Sequence, residues 1–235
     1  MNDPVAHAKS YPFPAPDHCF VYDGGGWRRL DGDFDRAGRV PVLAAGSNRS
    51  PEQIRRKYGH IAGCGPIPAQ RGRLYDFDVV YAAHLTSYGS VPATFQQSPG
   101  TVVTVFVLWL DARQLARMHE TEGNYTYDHL ADIRVALDSG GTLDAAHAYS
   151  SRVGCLDHNG GCVSLKEIGA EARRFPALGQ VEMLAAVRDR LAPGQPLDDF
   201  IRAHLDDRAL HRERSAALGR AACPIAYRRR TIIAL

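Results

Sequence analysis

Residues 92–111 read PATFQQSPGTVVTVFVLWLD, and this stretch decides the fold. Thr101 to Leu110 are almost all β-branched, aromatic or aliphatic, the composition of a strand. Gln97 to Gly100, carrying Pro99 and Gly100, read as a turn in front of it. The apolar run Val102 to Leu110, broken only by Thr104, is far too short to cross a bilayer as a helix. It stops at Asp111, which is placed to cap a following helix with Gln114 at its third position. That helix carries Leu115, Met118 and the methylenes of Arg117 on its inner side and ends near Glu122-Gly123.

Working upstream, Pro92 to Gln96 and Leu74 to Ser87 read as strands separated by Tyr88-Gly89-Ser90. Val40 to Ala45 form an earlier short strand, interrupted by Gly46-Ser47-Asn48. In the next residues, Ser50-Pro51-Glu52-Gln53, Ser50 is a candidate N-cap, Pro51 suits the first helical position and Gln53 is placed for a capping box. A strand, a tight loop and a helix in that order bring successive backbone N–H groups beside a helix N-terminus. Such an arrangement can receive a carboxylate, and it is also what an ordinary β–α connection looks like. Downstream, Ala131 to Leu137 and Thr142 to Ser151 pair across Asp138-Ser139-Gly140-Gly141. Gln180 to Leu191 and Leu197 to Leu210 carry apolar residues at helical spacing, and Ile225 to Leu235 read as a returning strand. Strands joined by short turns, with one helix early and others trailing, predict an α+β fold: a small closed or strongly curved sheet with helices outside it.

The expected organisation is an irregular arm over 1–39, with Pro4, Pro12, Pro14 and Pro16 giving its first eighteen residues polyproline character. A barrel domain over 40–160 and a mainly helical extension over 161–235 follow. Gly24-Gly25-Gly26 precede no helical pattern and are not read as a phosphate loop. The 235 residues carry 28 basic and 26 acidic side chains, net +2, which argues against nucleic acid or an anionic membrane as a partner held by charge. The clusters Arg28-Arg29, Arg55-Arg56-Lys57 and Arg228-Arg229-Arg230 read as solvated faces. With no basic-then-apolar leader pattern and five scattered cysteines, the expected protein is cytosolic with free thiols.

The candidate chemistry lies in LARMHETEGNY, residues 115–125. A helix end presents unpaired carbonyls and a partial negative charge, which disfavours the anion of Glu122, and Glu120 adds to this if it lies close. A carboxylate so placed suits a general base near neutral pH. On spacing alone the two glutamates also read as solvated helix-end charges, with Gly123 a C-cap.

Three segments in this order, LAAGSNRSPEQI at 43–54, PATFQQSPGTVVTVFVLWLD at 92–111 and LARMHETEG at 115–123, resemble the hallmark segments of the γ-glutamylcyclotransferase-like family. That family has a strand leading into a Tyr-Gly-Ser-Asn loop, an apolar strand after a Ser-Pro-Gly turn, and a helix ending in Glu-Gly. The resemblance spans about residues 40 to 151. It implies a compact β-barrel with flanking helices and a cavity at one end, in an enzyme cleaving γ-glutamyl amides by intramolecular cyclisation to 5-oxoproline and a free amine or amino acid. It assigns Glu122 as the proton shuttle. It gives Ala45, Gly46, Ser47 and Asn48 as the loop whose N–H groups hold the substrate α-carboxylate, and Tyr149 as a pocket residue. It requires neither cofactor nor metal. Ala45 departs from the family, which has tyrosine there, so one aromatic wall is missing; Tyr125, Tyr127 and Tyr88 are the candidates to fill it.

Cys155 and Cys162, with His147 and His158 nearby, match no standard zinc spacing. A cysteine nucleophile paired with either histidine is the rival hydrolase reading. His119 lies on the helix face beside Glu122. The alternative of another class is a non-catalytic metabolite-binding or interaction protein on the same fold, because fold does not settle function. The sequence sets neither the leaving group nor monomer against homodimer.

Overall fold

The computed structural model describes residues 3–233. In chain order the elements are α1 (Pro4–Lys9), β1 (Phe20–Tyr22), β2 (Trp27–Arg29), β3 (Val40–Ala44), α2 (Pro51–Tyr58), β4 (Ile67–Tyr81), β5 (Ala93–Leu110), α3 (Ala112–Thr121), β6 (Tyr125–Leu137) and β7 (Thr142–Ser151). The short strands β8 (Ser164–Leu165), β9 (Ala170–Glu171) and β10 (Ala177–Leu178) come next, then α4 (Gln180–Leu191), α5 (Leu197–Asp206), α6 (Arg208–Gly219) and β11 (Arg230–Ile233). Residues 234–235, the end of the expected last strand, and 1–2, the start of the expected arm, lie outside the described residues.

The expected α+β barrel is present. Strands β4, β5, β3, β7 and β6 hydrogen-bond in that order, and β6 closes the ring on β4. Every pairing in the ring is antiparallel except β3 with β7. At the closing seam Gly72 faces Leu137. A Cβ at Gly72 would lie 2.6 Å from the Ala136 carbonyl oxygen, so glycine is what lets the two backbones meet.

The β5 run is apolar on both faces because both are covered. Val103, Val105, Val107 and Trp109 join the larger core, while Phe106, Leu108 and Leu110 pack with Ile54, Tyr58 and Met118 of α2 and α3. Full burial of side chains of this size is worth roughly 1.5–3 kcal/mol each, so β5 ties the two cores together.

Several boundaries differ from expectation. Gln97–Gly100 does not end a strand: β5 runs through it, and residues 98–101 form a bulge in β5 opposite Asp76, between the Phe77–Gln97 and Tyr75–Val102 pairs. There Asp76 adopts φ +61° and its carboxylate accepts the Gly100 N–H at 2.7 Å. Asp76 thus satisfies Gly100 locally, and the ladder resumes beyond it. Strand β4 begins at Ile67 and stops at Tyr81; residues 82–92 form a loop with a Thr86–Gly89 turn. The long helix expected over 197–210 is two helices, because Asp207 turns extended and its side chain caps Ala209 and Leu210.

The first 39 residues are more regular than a polyproline arm. Asp3 caps α1, with Pro4 at its start. The β1–β2 hairpin adds to β4 through β1. Helix α1 contacts α4 and α5. No described helix is long and apolar enough to cross a membrane.

Candidate functional site

The Asp111 cap forms as expected. Gln114 N–H donates to the Asp111 carboxylate at 2.8 Å, and the Gln114 side-chain oxygen accepts the Asp111 N–H at 3.0 Å. So anchored, α3 runs to Thr121 and places Glu122 as its C-terminal cap. The corresponding Ser50 box does not form. Ser50 caps α2 with its backbone only, its hydroxyl has no partner, and Gln53 faces a cavity instead. A single 3₁₀ turn, Ser47–Arg49, links β3 to α2.

At this end of the barrel lies a cavity of about 260 Å³. That is close to the ~300 Å³ lower end for sites of drug-sized ligands, a size suited to an amino-acid-like one. Ala45, Gly46, Ser47, Asn48, Glu122, Tyr125 and Tyr149 all line it, so every residue expected at the site comes together. The parallel pairing of Val42 with His147 explains part of this convergence, since it carries the end of β3 to the level of Tyr149.

Glu120 does not lie close to Glu122, being bound to Arg117 on the exposed side of α3. Two other side chains reach Glu122 instead. Lys57 Nζ donates to Glu122 Oε1 at 2.5 Å and Asn48 Nδ2 donates to the same oxygen at 2.9 Å. The side chains of Lys57 and Glu122 are 15% and 10% exposed, so this ion pair is far less screened than a surface pair. Oε2 receives no hydrogen bond among the described residues and is not a buried orphan, which leaves it facing the cavity. Lys57 was grouped with Arg55 and Arg56 as a solvated face. Arg55 behaves that way, paired with exposed Glu52, but Lys57 turns inward.

Tyrosines surround this pair. Tyr149 shares a 2.6 Å hydrogen bond with His119 Nδ1, and burial lowers the histidine's proton affinity, favouring a neutral ring that accepts from the phenol. Burial raises Tyr149 above the usual phenol range, with the Glu122 charge adding to it. Burial also pushes Tyr88 up to about 12 and raises Tyr125. Of the candidates to replace the aromatic wall missing at Ala45, Tyr88 and Tyr125 line the cavity and Tyr127 does not. A fourth tyrosine, Tyr11, lines it too, and nothing in the sequence near the loop marked it. His84 and Gln53 complete the wall, with His84 Nδ1 and Gln53 Nε2 buried without partners.

Among the described residues no group of three His, Cys, Asp or Glu side chains is arranged to hold a metal. Cys155, Cys162 and Cys223 are free thiols packed together away from the cavity.

No protein-family model matches the chain, and none of the curated proteins matches it in sequence. Solved structures similar to it include a gamma-glutamyl cyclotransferase, 18% identical, with 80% of this chain and 90% of that one covered at a TM-score of 0.39. An uncharacterised protein from Homo sapiens is 18% identical, covering 81% and 92% at 0.39. YkqA from Bacillus subtilis is 11% identical, covering 82% and 72% at 0.38.

Proposed function

We propose that the chain cleaves small γ-glutamyl amides by intramolecular cyclisation, releasing 5-oxoproline and an amine or amino acid. The observation that carries this is the half-engaged carboxylate of Glu122, with one oxygen fixed by Lys57 and Asn48 and the other open to a cavity bounded by the 45–48 loop.

In the proposed reaction the substrate α-ammonium binds Oε2 and gives it a proton. The freed amine attacks the γ-carbonyl of the same molecule, and the tetrahedral intermediate expels the leaving nitrogen. The ammonium loses two protons in becoming a lactam N–H, and the leaving nitrogen gains two in departing as an ammonium ion. The carboxylate therefore returns unchanged, and the reaction as written needs no metal or redox group. Positioned acid–base catalysis of this kind contributes about 10²–10⁴-fold. Folding nucleophile onto electrophile within one bound molecule supplies much of the remainder. The N–H groups of the 46–48 turn are the candidate donors for the substrate carboxylate and the developing oxyanion.

Lys57 bears on the role of Glu122. The ion pair with Lys57 fixes Oε1 and leaves Oε2 as the oxygen placed to receive the substrate ammonium. That same pair favours, as a second reading, a binding protein for a small amine-bearing acid. Release of 5-oxoproline from a panel of γ-glutamyl amino acids, γ-glutamyl amines and glutathione separates the two. Turnover abolished in Glu122→Gln, with an unchanged melting temperature, supports the enzyme. No turnover from any member of the panel, with saturable binding of one, supports the binding protein.

A further inference from the structure

Most of the cavity wall comes from strands and turns that the barrel itself brings together. Tyr11 comes from the N-terminal segment. It is 3% exposed, and its hydroxyl accepts the Ala93 N–H at 2.8 Å, across 82 residues of sequence. The Ala93 carbonyl in turn accepts the Tyr125 hydroxyl at 3.1 Å, so the first residue of β5 is bracketed by two phenols. The same Tyr11 oxygen presses on the loop: a Cβ built on Gly46 would stand 2.4 Å from it. The space above Gly46 is therefore filled by the Tyr11 hydroxyl.

The segment carrying Tyr11 is seated firmly. The Asp3 carboxylate accepts the Val5 N–H at 3.0 Å, Ser90 Oγ donates to the Ala8 carbonyl at 2.7 Å, and Lys9 pairs with Asp198 of α5. Val5, Ala8 and Phe13 are buried in the main core. The His7 ring stacks on Phe13 with centroids 4.6 Å apart.

We infer that Asp3–Phe13 is a strap that completes the ligand cavity, and that Tyr11 is its positioning residue, holding the Gly46–Asn48 turn against the start of β5 in a ligand-receiving shape. The ring shares the cavity wall with Ala45, and the hydroxyl satisfies a backbone donor that would otherwise be buried unpaired. The strap thereby sets the width of the site and the orientation of the loop N–H groups. This inference rests on the cavity being the substrate site proposed above.

Its test uses the full chain with Tyr11→Phe, Gly46→Ala and the two combined. Tyr11→Phe keeps the ring and removes only the hydroxyl. Amide hydrogen exchange at Ala93 and residues 46–48 is expected to rise about tenfold or more. KM for the best γ-glutamyl amide is expected to rise about tenfold, with kcat within about twofold. Gly46→Ala alone drives its methyl into the hydroxyl. In the double variant the nearest remaining atoms are Ala93 Cβ at 3.4 Å and Tyr11 Cζ at 3.5 Å, ordinary contacts. The double variant should therefore melt closer to Tyr11→Phe than the sum of the single effects predicts. Unchanged exchange in Tyr11→Phe, additive melting effects, or an unchanged KM in the active enzyme overturns the inference. A wild-type protein that releases no 5-oxoproline overturns the proposed function, while the exchange and melting results still judge the strap.

Discussion

Lys57 Nζ stands 2.5 Å from Glu122 Oε1, joining the last turn of α2 to the end of α3 across 65 residues of sequence. The lysine is held by its backbone as well, because its carbonyl accepts the Arg117 guanidinium at 3.1 Å. A cation fixed in this way compensates a carboxylate that the helix end would otherwise oppose. Lys57→Met removes the compensation and conserves the stem. With Oε1 no longer fixed, kcat/KM for the best γ-glutamyl amide should fall at least about tenfold. Steady-state kinetics check this: Lys57→Arg should retain more activity than Lys57→Met, and a Lys57→Met protein as active as wild type would rule out a role for Lys57 at the site.

Asn48 supplies the other bond to Oε1 and leaves its own Oδ1 buried without a partner. Asn48→Asp replaces a donor with a second carboxylate against the first. Repulsion at that distance should raise KM at least tenfold at neutral pH, with the loss shrinking as the pH is lowered. Asn48→Ser, which adds no charge, should show a smaller effect with no such pH dependence. Steady-state kinetics at pH 5.5 and 7.5 distinguish the two substitutions.

Acid should destabilise the fold through two buried histidines. Burial pushes His84 down to about 4, with the neighbouring His211 charge adding to it. Burial likewise pushes His204 down to about 4, where Nδ1 faces the Arg214 guanidinium at 3.1 Å and Nε2 lies 3.3 Å from the Gly89 carbonyl. In the unfolded chain both return to roughly 6.5, so between those values the unfolded state binds more protons. The stability they contribute is complete above about pH 6.5 and is lost as the pH falls toward 4, on the order of 3 kcal/mol for each histidine. Urea midpoints at pH 7 and 4.5 should show this loss, and His204→Gln should remove close to half of it.

Asp78 is fully buried, accepting the Ser164 hydroxyl at 2.6 Å with Arg173 Nε at 3.4 Å. Arg173→Leu strands that charge and should cost about 3–5 kcal/mol in chemical denaturation. Adding Asp78→Asn should recover much of the loss, because a neutral amide needs no counter-charge. A loss below about 1 kcal/mol for the single variant would show that Arg173 does not hold the 164–173 segment to β4.

Legibility in the sequence followed the range of each interaction. The Asp111–Gln114 box was legible because both partners lie within one helical turn, and it alone fixes where α3 begins and hence where Glu122 falls. The Ser50–Gln53 pattern had the same local form and failed, since Gln53 turned to the cavity. The Ser-Pro-Gly segment looked like a turn because its residues favour turns. Its true partner was Asp76, over twenty residues upstream, whose carboxylate takes the Gly100 N–H while β5 continues past the bulge.

The sequence by itself determined the main elements from β3 to β7, through side-chain composition, spacing and capping, all of them local properties. The set of residues at one end of the barrel came from the resemblance of three segments, in order, to the γ-glutamylcyclotransferase-like family. Only the tertiary structure decided which of three adjacent basic residues turns inward onto Glu122, and that a tyrosine from the first turns of the chain presses on Gly46. Those contacts exist because the ring closes β6 onto β4 and the helices after β10 seat α1 beside it, bringing together groups whose sequence positions carry no mark of one another.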